Sequence, residues 1–123
     1  MQVQEKLDRA RKLVQDTRKL LQRRAQLLTA GSSVENIDAE IKQNQAEYQE
    51  LYNQLIPLIN LLFWDEQRAI LNKFYLEAQP MSVIVSQVMK LPVESSCLSL
   101  AQSRKRMAVR DLQKAIDRQE NKK

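Results

Sequence analysis

The chain has 123 residues, of which 43% are hydrophobic and 28% are charged, and its formal net charge is +5. It contains a single glycine, and only 5% of its residues are aromatic. Because sheets need turn glycines together with β-branched or aromatic strand residues, this composition excludes a sheet protein. Leu, Ala, Gln, Glu, Lys and Arg make up most of the chain and favour helix, so the predicted fold class is all-α.

The same composition excludes most catalytic and metal chemistry. There is no histidine, Cys97 is the only cysteine and Gly31 is the only glycine. The commonest general base, a zinc site of His and Cys ligands and a glycine-rich phosphate loop are therefore excluded. We predict a non-enzymatic protein with no cofactor, no metal and no small-molecule ligand. A charged N-terminal stretch, and the lack of an apolar run of about 20 residues, predict a cytoplasmic protein without a membrane partner.

Residues 3–28 are predicted to form one long amphipathic helix. Its heptad positions are Leu7, Val14, Leu21 and Leu28, and a second flank beside them consists of Leu13, Leu20 and Leu27. The second flank makes the apolar stripe wider than one antiparallel helix covers. The sequence therefore predicts self-association through this flank, as a homodimer.

A tight turn and a second long helix are predicted to follow. Gly31 is suited to closing the first helix, and Ser32 with Glu35 three residues later is typical of a capping box. Apolar residues then recur at three- and four-residue spacing, and Asn44 is the one polar residue in this seam. Two such helices joined by a short turn pack antiparallel. Residues 1–62 are therefore predicted to form a coiled-coil-type hairpin, with Asn44 at the interface fixing its register or its oligomeric state.

Charge is distributed unevenly along the chain. Residues 1–30 carry eight basic and three acidic side chains, residues 31–62 one and five, and residues 102–123 eight and three. The basic residues of the first helix are expected to coat the hairpin surface and to pair with the acidic second helix. The basic C-terminal segment is the pattern expected of nucleic-acid binding, and it also suits an acidic protein partner.

Past residue 62 the pattern changes from one long stripe to shorter helices. Capping residues and Pro92 divide residues 63–123 into two short helices and a last, basic helix. Phe63 and Trp64 are expected to fill the junction between the hairpin and these helices. The chain is thus predicted to have two parts, the hairpin and a helix-turn-helix-like region with a basic C-terminal helix.

The second part carries the pattern of a known DNA-binding module. A helix ending in Leu-Asn-Lys-Phe-Tyr-Leu precedes a short helix, a turn and the basic helix. The motif positions are the apolar-then-small pair Val85 and Ser86, an apolar residue near the turn, which is Met89 or Leu91, and the run Arg106-Met107-Ala108. Over residues 65–112 this pattern resembles the fourth region of sigma factors and, more closely, small phage late-transcription regulators of the ArpU and RinA types. The resemblance implies transcription control in a bacterial host cell, with DNA, and RNA polymerase or another protein, as partners.

Polar and basic residues of the last helix are the predicted DNA contacts. They are Gln102, Ser103, Arg104, Lys105, Arg106, Arg110 and Lys114. Arg and Lys supply phosphate contacts, and Gln102 is the best placed to read a base edge. Adjacent helical residues point in different directions, so three consecutive basic residues cannot all touch one surface. The alternative for this cluster is a solvated helix face with Asp111 and Asp117 interleaved.

Departures from the family pattern keep a second function open. Lys90 stands at the turn position usually taken by Gly, Pro92 follows it closely, and Ser96 stands where an apolar anchor is expected. These departures favour a helical protein–protein interaction module without specific DNA binding. Such a module, a host-directed inhibitor or an assembly adaptor, would present the hairpin to its partner.

Overall fold

A computed structural model describes residues 2–122 of the chain. Its helices are α1 (Val3–Thr29), α2 (Glu35–Ile59), α3 (Asp65–Leu71), α4 (Met81–Val83) and α5 (Ser95–Asn121). α3 and α4 each widen into one π-helical turn, at Asn72–Leu76 and Ile84–Val88. No strand occurs within residues 2–122, which confirms the all-α prediction. Over the same residues, no helix combines the length and the hydropathy that a membrane span requires.

α1 and α2 form the predicted antiparallel hairpin. Arg9 near the start of α1 pairs with Glu47, at an N···O distance of 2.5 Å. Arg24 near the end of α1 pairs with Asp38 at 2.6 Å. These pairs run in opposite order along the two helices, and they confirm that complementary charges face each other. Exposed pairs contribute only about 0.2–1 kcal/mol each, so the seam of α2, which is buried or half-buried at every predicted position, supplies most of the packing energy.

The turn between the two helices closes α1 as predicted but opens α2 differently. Gly31 has a φ of +73°, its N–H donates to the Leu28 carbonyl at 3.1 Å, and the N–H of Ser32 donates to the Leu27 carbonyl at 2.9 Å. These bonds form a Schellman motif that uses Ser32 to end α1. The predicted capping box is wrong, because Ser32 ends α1, and the N–H of Glu35 at the start of α2 donates to Oγ of Ser33 instead, at 3.5 Å.

One hydrophobic core joins the root of the hairpin to the rest of the chain. Its buried members are Val3, Leu7, Ala10, Leu55, Ile59, Leu62, Leu71, Tyr75, Leu76, Ala108, Val109, Leu112 and Ile116. The backbone N–H of Val3 also donates a 2.9 Å hydrogen bond to Oε1 of Gln113, so the start of α1 lies against the second half of α5. Burying one Leu or Ile side chain contributes about 1.5–3 kcal/mol. The two parts of the chain therefore stabilise each other.

Two arginines of α1 hold the segment that follows α3. Arg11 donates from Nη1 to the carbonyl oxygen of Phe74 at 2.5 Å. Arg18 donates to the carbonyl oxygens of Glu77 and Ala78, at 2.6 and 3.2 Å. Carbonyl groups at the end of a helical segment lack partners within it, and the guanidinium groups satisfy them. The expectation that the basic residues of α1 coat the hairpin surface is therefore wrong for these two residues.

The leucines predicted for self-association lie on the inner flank of the hairpin. Leu13 is only 1% exposed, and Leu20 and Leu27 are half-buried. α2 packs along this flank, and half-buried Asn44 of α2 lines the same cleft as Leu20. The open leucines are Leu21 and Leu28, which are 48% and 50% exposed. The self-association prediction is therefore wrong in its residues, because the exposed leucines are Leu21 and Leu28. The small helices cover the Leu21 and Leu28 face of α1 only near the start of that helix.

Phe63 and Trp64 do not fill the junction between the hairpin and the small helices. Phe63 is 80% exposed and Trp64 is 63% exposed. Leu62, which is 4% exposed, occupies the core position instead. Because one leucine completes the core, the turn that follows it carries both aromatic side chains outward.

Candidate nucleic-acid interface

α3, α4 and the start of α5 share a small core of their own. Ile70, Ile84, Val85 and Ala101 are fully buried within it. Its partly buried edge consists of Phe74, Met81, Val88, Met89, Leu91, Cys97 and Leu98. Three helical segments thus pack around one apolar centre, and residues 89–94 connect the second of them to α5. In that arrangement the last helix presents its outward face.

The turn before α5 contains a residue in the left-handed backbone conformation. Lys90 has a φ of +59°, in the left-handed region that favours glycine. On either side of it, the N–H of Met89 donates to the carbonyl of Ile84 and that of Leu91 to the carbonyl of Val85, each at 3.0 Å. Lys90, which stands where the family pattern has Gly, is thus the residue with the left-handed backbone. A side chain other than glycine is disfavoured there by about 1–2 kcal/mol, and the packed turn holds it in place.

The first turns of α5 expose a polar face. Its exposed members are Ser95, Ser96, Ser99, Gln102, Ser103 and Arg106. Ser96 does not provide the apolar anchor of the family pattern. Cys97 and Leu98, one and two residues later, pack against the core in its place. The shift leaves Ser96 on the outward side of the helix.

The three consecutive basic residues of α5 take three different roles. Nη1 of Arg104 lies 2.9 and 3.0 Å from the two carboxylate oxygens of Glu66 on α3. Nζ of Lys105 lies 4.3 Å from the centroid of the Phe74 ring, and its partial burial lowers its pKa, an effect that the charge of Asp8 opposes. Only Arg106 is exposed. The prediction that these residues cannot share one surface is confirmed.

Arg106, Arg110 and Lys114 form one basic row on the outward face of α5. All three are exposed, and their four-residue spacing places them on successive turns of one side of the helix. Arg106 and Lys114 form no ion pair within residues 2–122, and Arg110 has only a 3.9 Å contact with Asp111. The row and the polar face of the first turns lie end to end. Of the predicted DNA-contact residues, Gln102, Ser103, Arg106, Arg110 and Lys114 are open to a partner.

Two features of this region could not be read from the sequence. Glu66, which neutralises Arg104, lies 38 residues before it in the chain, and no spacing rule connects the two. Phe74, whose ring lies under Lys105, belongs to the π-helical turn after α3 rather than to a regular helix. Both contacts arise from the docking of α3 and α5. A hydrophobic pattern predicts that docking in general terms but does not predict its side-chain partners.

Among residues 2–122, no three His, Cys, Asp or Glu side chains come together as a metal site. No family model, no curated protein and no solved structure matches the chain. The resemblance to sigma region four and to the phage regulators therefore stays a prediction from the sequence.

Proposed function

We propose that the protein is a non-enzymatic, DNA-binding transcription regulator of the phage type that contacts DNA through α5. The observation that carries the proposal is the left-handed turn at Lys90 before a helix whose outward face is polar and then basic. The arrangement gives α5 a rigid base on α3 and α4, as DNA recognition by a helix requires. The basic row adds the positive charge that phosphate binding requires.

In this proposal the residues of α5 divide into two groups. Arg106, Arg110 and Lys114 contact phosphates and supply affinity that is independent of sequence. Gln102 and Ser103, nearer the start of the helix, face base edges and supply sequence preference. Arg104 and Lys105 lie in structural contacts and are left out of the DNA-contact set.

The test is a titration of labelled duplex DNA, including DNA from the neighbouring genome and a scrambled control, across a salt series. Arg106→Gln combined with Arg110→Gln should weaken binding to every duplex. The slope of log affinity against log salt should also fall by about 0.9 for each phosphate that the variant no longer neutralises. Gln102→Ala should instead reduce the difference between the genomic and the scrambled duplex.

Lys105→Gln is the matched control for the arginine variants. It removes a positive charge from the same turn of α5, but the Lys105 side chain lies over Phe74 and not on the outward face. It should change the melting temperature and leave the salt slope unchanged. The proposal fails if the parent protein shows no salt-dependent binding to duplex DNA, or if Lys105→Gln lowers the slope as much as Arg106→Gln does.

In this proposal the regulator forms a homodimer, in which a second copy of the chain binds the open half of the hairpin. Exposed Leu21 and Leu28 provide the apolar contact. Residues 15–29 of α1 hold four basic and one acidic side chains, whereas residues 34–46 hold one basic and three acidic side chains. In a two-fold contact α1 of each copy lies on α2 of the other, so this surface is complementary in charge to itself.

Light scattering tests the self-association. The parent should have twice the 14.4 kDa mass of one chain at micromolar concentration. Leu21→Ser with Leu28→Ser should give a monomer, whereas Gln15→Ser with Gln22→Ser, two exposed positions on another face of α1, should keep the dimer. A monomeric parent would contradict the dimer.

A second candidate function is a protein–protein interaction module, and the same open leucines favour it. In that case the hairpin face binds a different protein, and DNA binding is weak and without sequence preference. A monomeric parent, together with equal affinity for the genomic and scrambled duplexes, would favour this second function.

A further inference from the structure

The turn between α2 and α3 presents two aromatic side chains to solvent in a fixed arrangement. The rings of Phe63 and Trp64 are 4.9 Å apart between centroids and nearly perpendicular, at 89°. Phe63 is 80% exposed and Trp64 is 63% exposed. Exposing two large aromatic rings is unfavourable in water, and such pairs are typical of the centres of binding surfaces.

The turn that carries these rings is held by Arg68. Its Nη1 donates to the carbonyl oxygens of Leu62 and Phe63, at 2.5 and 3.1 Å. The same guanidinium also pairs with Asp65. Arg68 therefore holds the turn through two backbone carbonyl groups and through the Asp65 side chain. The exposure of the two rings follows from this backbone conformation. A partner that binds them meets a surface that needs little ordering.

Two shallow clefts lie on either side of Trp64. One, of about 370 Å³, is lined by Trp64, Glu66, Gln67, Arg104 and Met107. The other, of about 340 Å³, includes Leu61, Phe63, Asp111, Lys114, Ala115 and Arg118 in its lining. Each cleft is of a size suited to apolar side chains of a bound segment. Met107 is itself 46% exposed, so the apolar surface continues from the turn onto α5.

The charged side chains that line the clefts are the basic Arg104, Lys114 and Arg118 and the acidic Glu66 and Asp111, which together carry a net charge of +1. Glu66 is paired with Arg104, and Asp111 accepts a 2.9 Å hydrogen bond from Gln67. Lys114 and Arg118 are exposed, and neither forms an ion pair within residues 2–122. Two unpaired cations thus stand one turn apart at the edge of an aromatic surface.

We propose that this surface, the Phe63–Trp64 surface, binds an acidic protein segment that inserts large apolar side chains into the two clefts. The charge of Lys114 and Arg118 selects acidic residues beside the apolar anchors. A second copy of this chain does not fit, because a two-fold contact here would bring the same two cations of each copy together. Stacked nucleic-acid bases fit poorly, because perpendicular rings offer no continuous stacking platform and two carboxylates line the clefts. The surface shares Lys114 with the proposed DNA face, and it is separate from the open leucines of the hairpin.

Trp64 is the only tryptophan of the chain, so its fluorescence reports on this surface directly. The probes are a synthetic amphipathic peptide with Leu on one face and Glu on the other, and two variants of it. One variant has Lys in place of Glu, and the other has Ser in place of Leu. The Glu–Leu peptide should shift the emission of Trp64 to shorter wavelength, and the other two should not.

Two sets of variants separate the apolar from the electrostatic contribution. Phe63→Ala should weaken binding of the Glu–Leu peptide. Lys114→Glu with Arg118→Glu should weaken it about ten-fold and should allow the Lys–Leu peptide to bind. Lys12→Glu with Lys19→Glu changes the net charge equally at exposed positions of α1 and should leave binding of the Glu–Leu peptide within about two-fold. Unchanged melting curves confirm that the variants are folded.

Four results would overturn the proposal. The first is no change in Trp64 emission with the Glu–Leu peptide at millimolar concentration. The second is equal weakening by the Lys12 and Lys114 charge reversals. The third is a shift caused by a single-stranded oligonucleotide but not by the peptide, which would assign the surface to nucleic acid. The last is a shift that depends on protein concentration alone, which would assign it to a second copy. None of these readouts depends on whether α5 binds duplex DNA.

Discussion

The guanidinium of Arg11 lies over the ring of Phe74, with its carbon 3.9 Å from the ring centroid, and it also donates a hydrogen bond to the Phe74 carbonyl. Lys105 of α5 lies 4.3 Å from the centroid of the same ring. One aromatic residue of the π-helical turn therefore contacts cations from the first and the last helix. The hairpin and the smaller helices are fixed to each other at this point.

The first prediction concerns Arg11. Arg11→Ala should reduce the free energy of unfolding by about 1–3 kcal/mol, because it removes a charge-assisted hydrogen bond and a cation–π contact. Arg23→Ala, at an exposed position of the same helix, should change it by less than about 0.5 kcal/mol. Urea unfolding followed by circular dichroism measures both. Equal effects would mean that Arg11 contributes only its charge.

The second prediction uses two neighbouring tyrosines of α2. The hydroxyl of Tyr48 donates a 2.6 Å hydrogen bond to the Leu76 carbonyl, and Tyr48 is half-buried. Tyr48→Phe should cost about 0.5–1.5 kcal/mol, because the carbonyl loses its partner. Tyr52 is 38% exposed, and Tyr52→Phe should be nearly neutral. Thermal melts of the two variants provide the comparison, and a neutral Tyr48→Phe would contradict it.

The third prediction concerns the left-handed turn. Lys90→Gly should raise the free energy of unfolding by up to about 1 kcal/mol, because glycine adopts the turn conformation without the side-chain penalty. Gln87→Gly, at an exposed position inside the π-helical turn before it, should lower stability by about 0.5–1 kcal/mol. A loss of stability in both variants would mean that Lys90 does not occupy the left-handed region in solution.

The fourth prediction is a dependence on pH. The hydrogen bond from Arg9 lowers the pKa of Glu47 below its ordinary value of 4.5. Because the pKa is lower in the folded protein, the pair stabilises the fold above pH 4.5, and this stabilisation is lost as the pH falls through the folded-state value. Glu47→Gln should flatten the fall of melting temperature between about pH 5 and about pH 3.

Arg9→Gln tests the same pair from its other side. It removes the donor that lowers the pKa of Glu47, so it should flatten the acid profile as Glu47→Gln does. A profile for Arg9→Gln as steep as that of the parent would place the acid sensitivity in other carboxylates.

Much of the architecture could be predicted from the sequence, and the reasons are local. The length of α1 and the glycine at residue 31 depend only on helix propensity and backbone freedom, and both predictions are confirmed. The heptad spacing on α1 is confirmed as a packed seam only at Leu7 and Val14, because Leu21 and Leu28 are exposed. The sequence could not show which leucine flank of α1 packs on α2 and which stays exposed, because both flanks have the same seven-residue spacing. The flank that α2 covers depends on the docking of the small helices.

The candidate site was predictable to a similar extent. Helix period separates Arg104, Lys105 and Arg106 into different directions, and this was predicted correctly. Which of the three is exposed depends on Glu66 and Phe74, which come from other helices. The exposure of Trp64 was missed for the same reason, since an aromatic residue next to an apolar run is expected in the core unless the neighbouring Leu62 is known to complete it.

The contact between Val3 and Gln113 spans 110 residues, so during synthesis it forms only after α5 has left the ribosome. α1 and α2 leave the ribosome first and can pair, but the core that buries Val3 and Leu7 is incomplete until α5 adds Ala108, Leu112 and Ile116. Until then the root of the hairpin displays apolar surface, which is the condition under which nascent chains associate incorrectly. The last helix therefore completes the burial of the first. A chain truncated within α5 should aggregate even though its hairpin is intact.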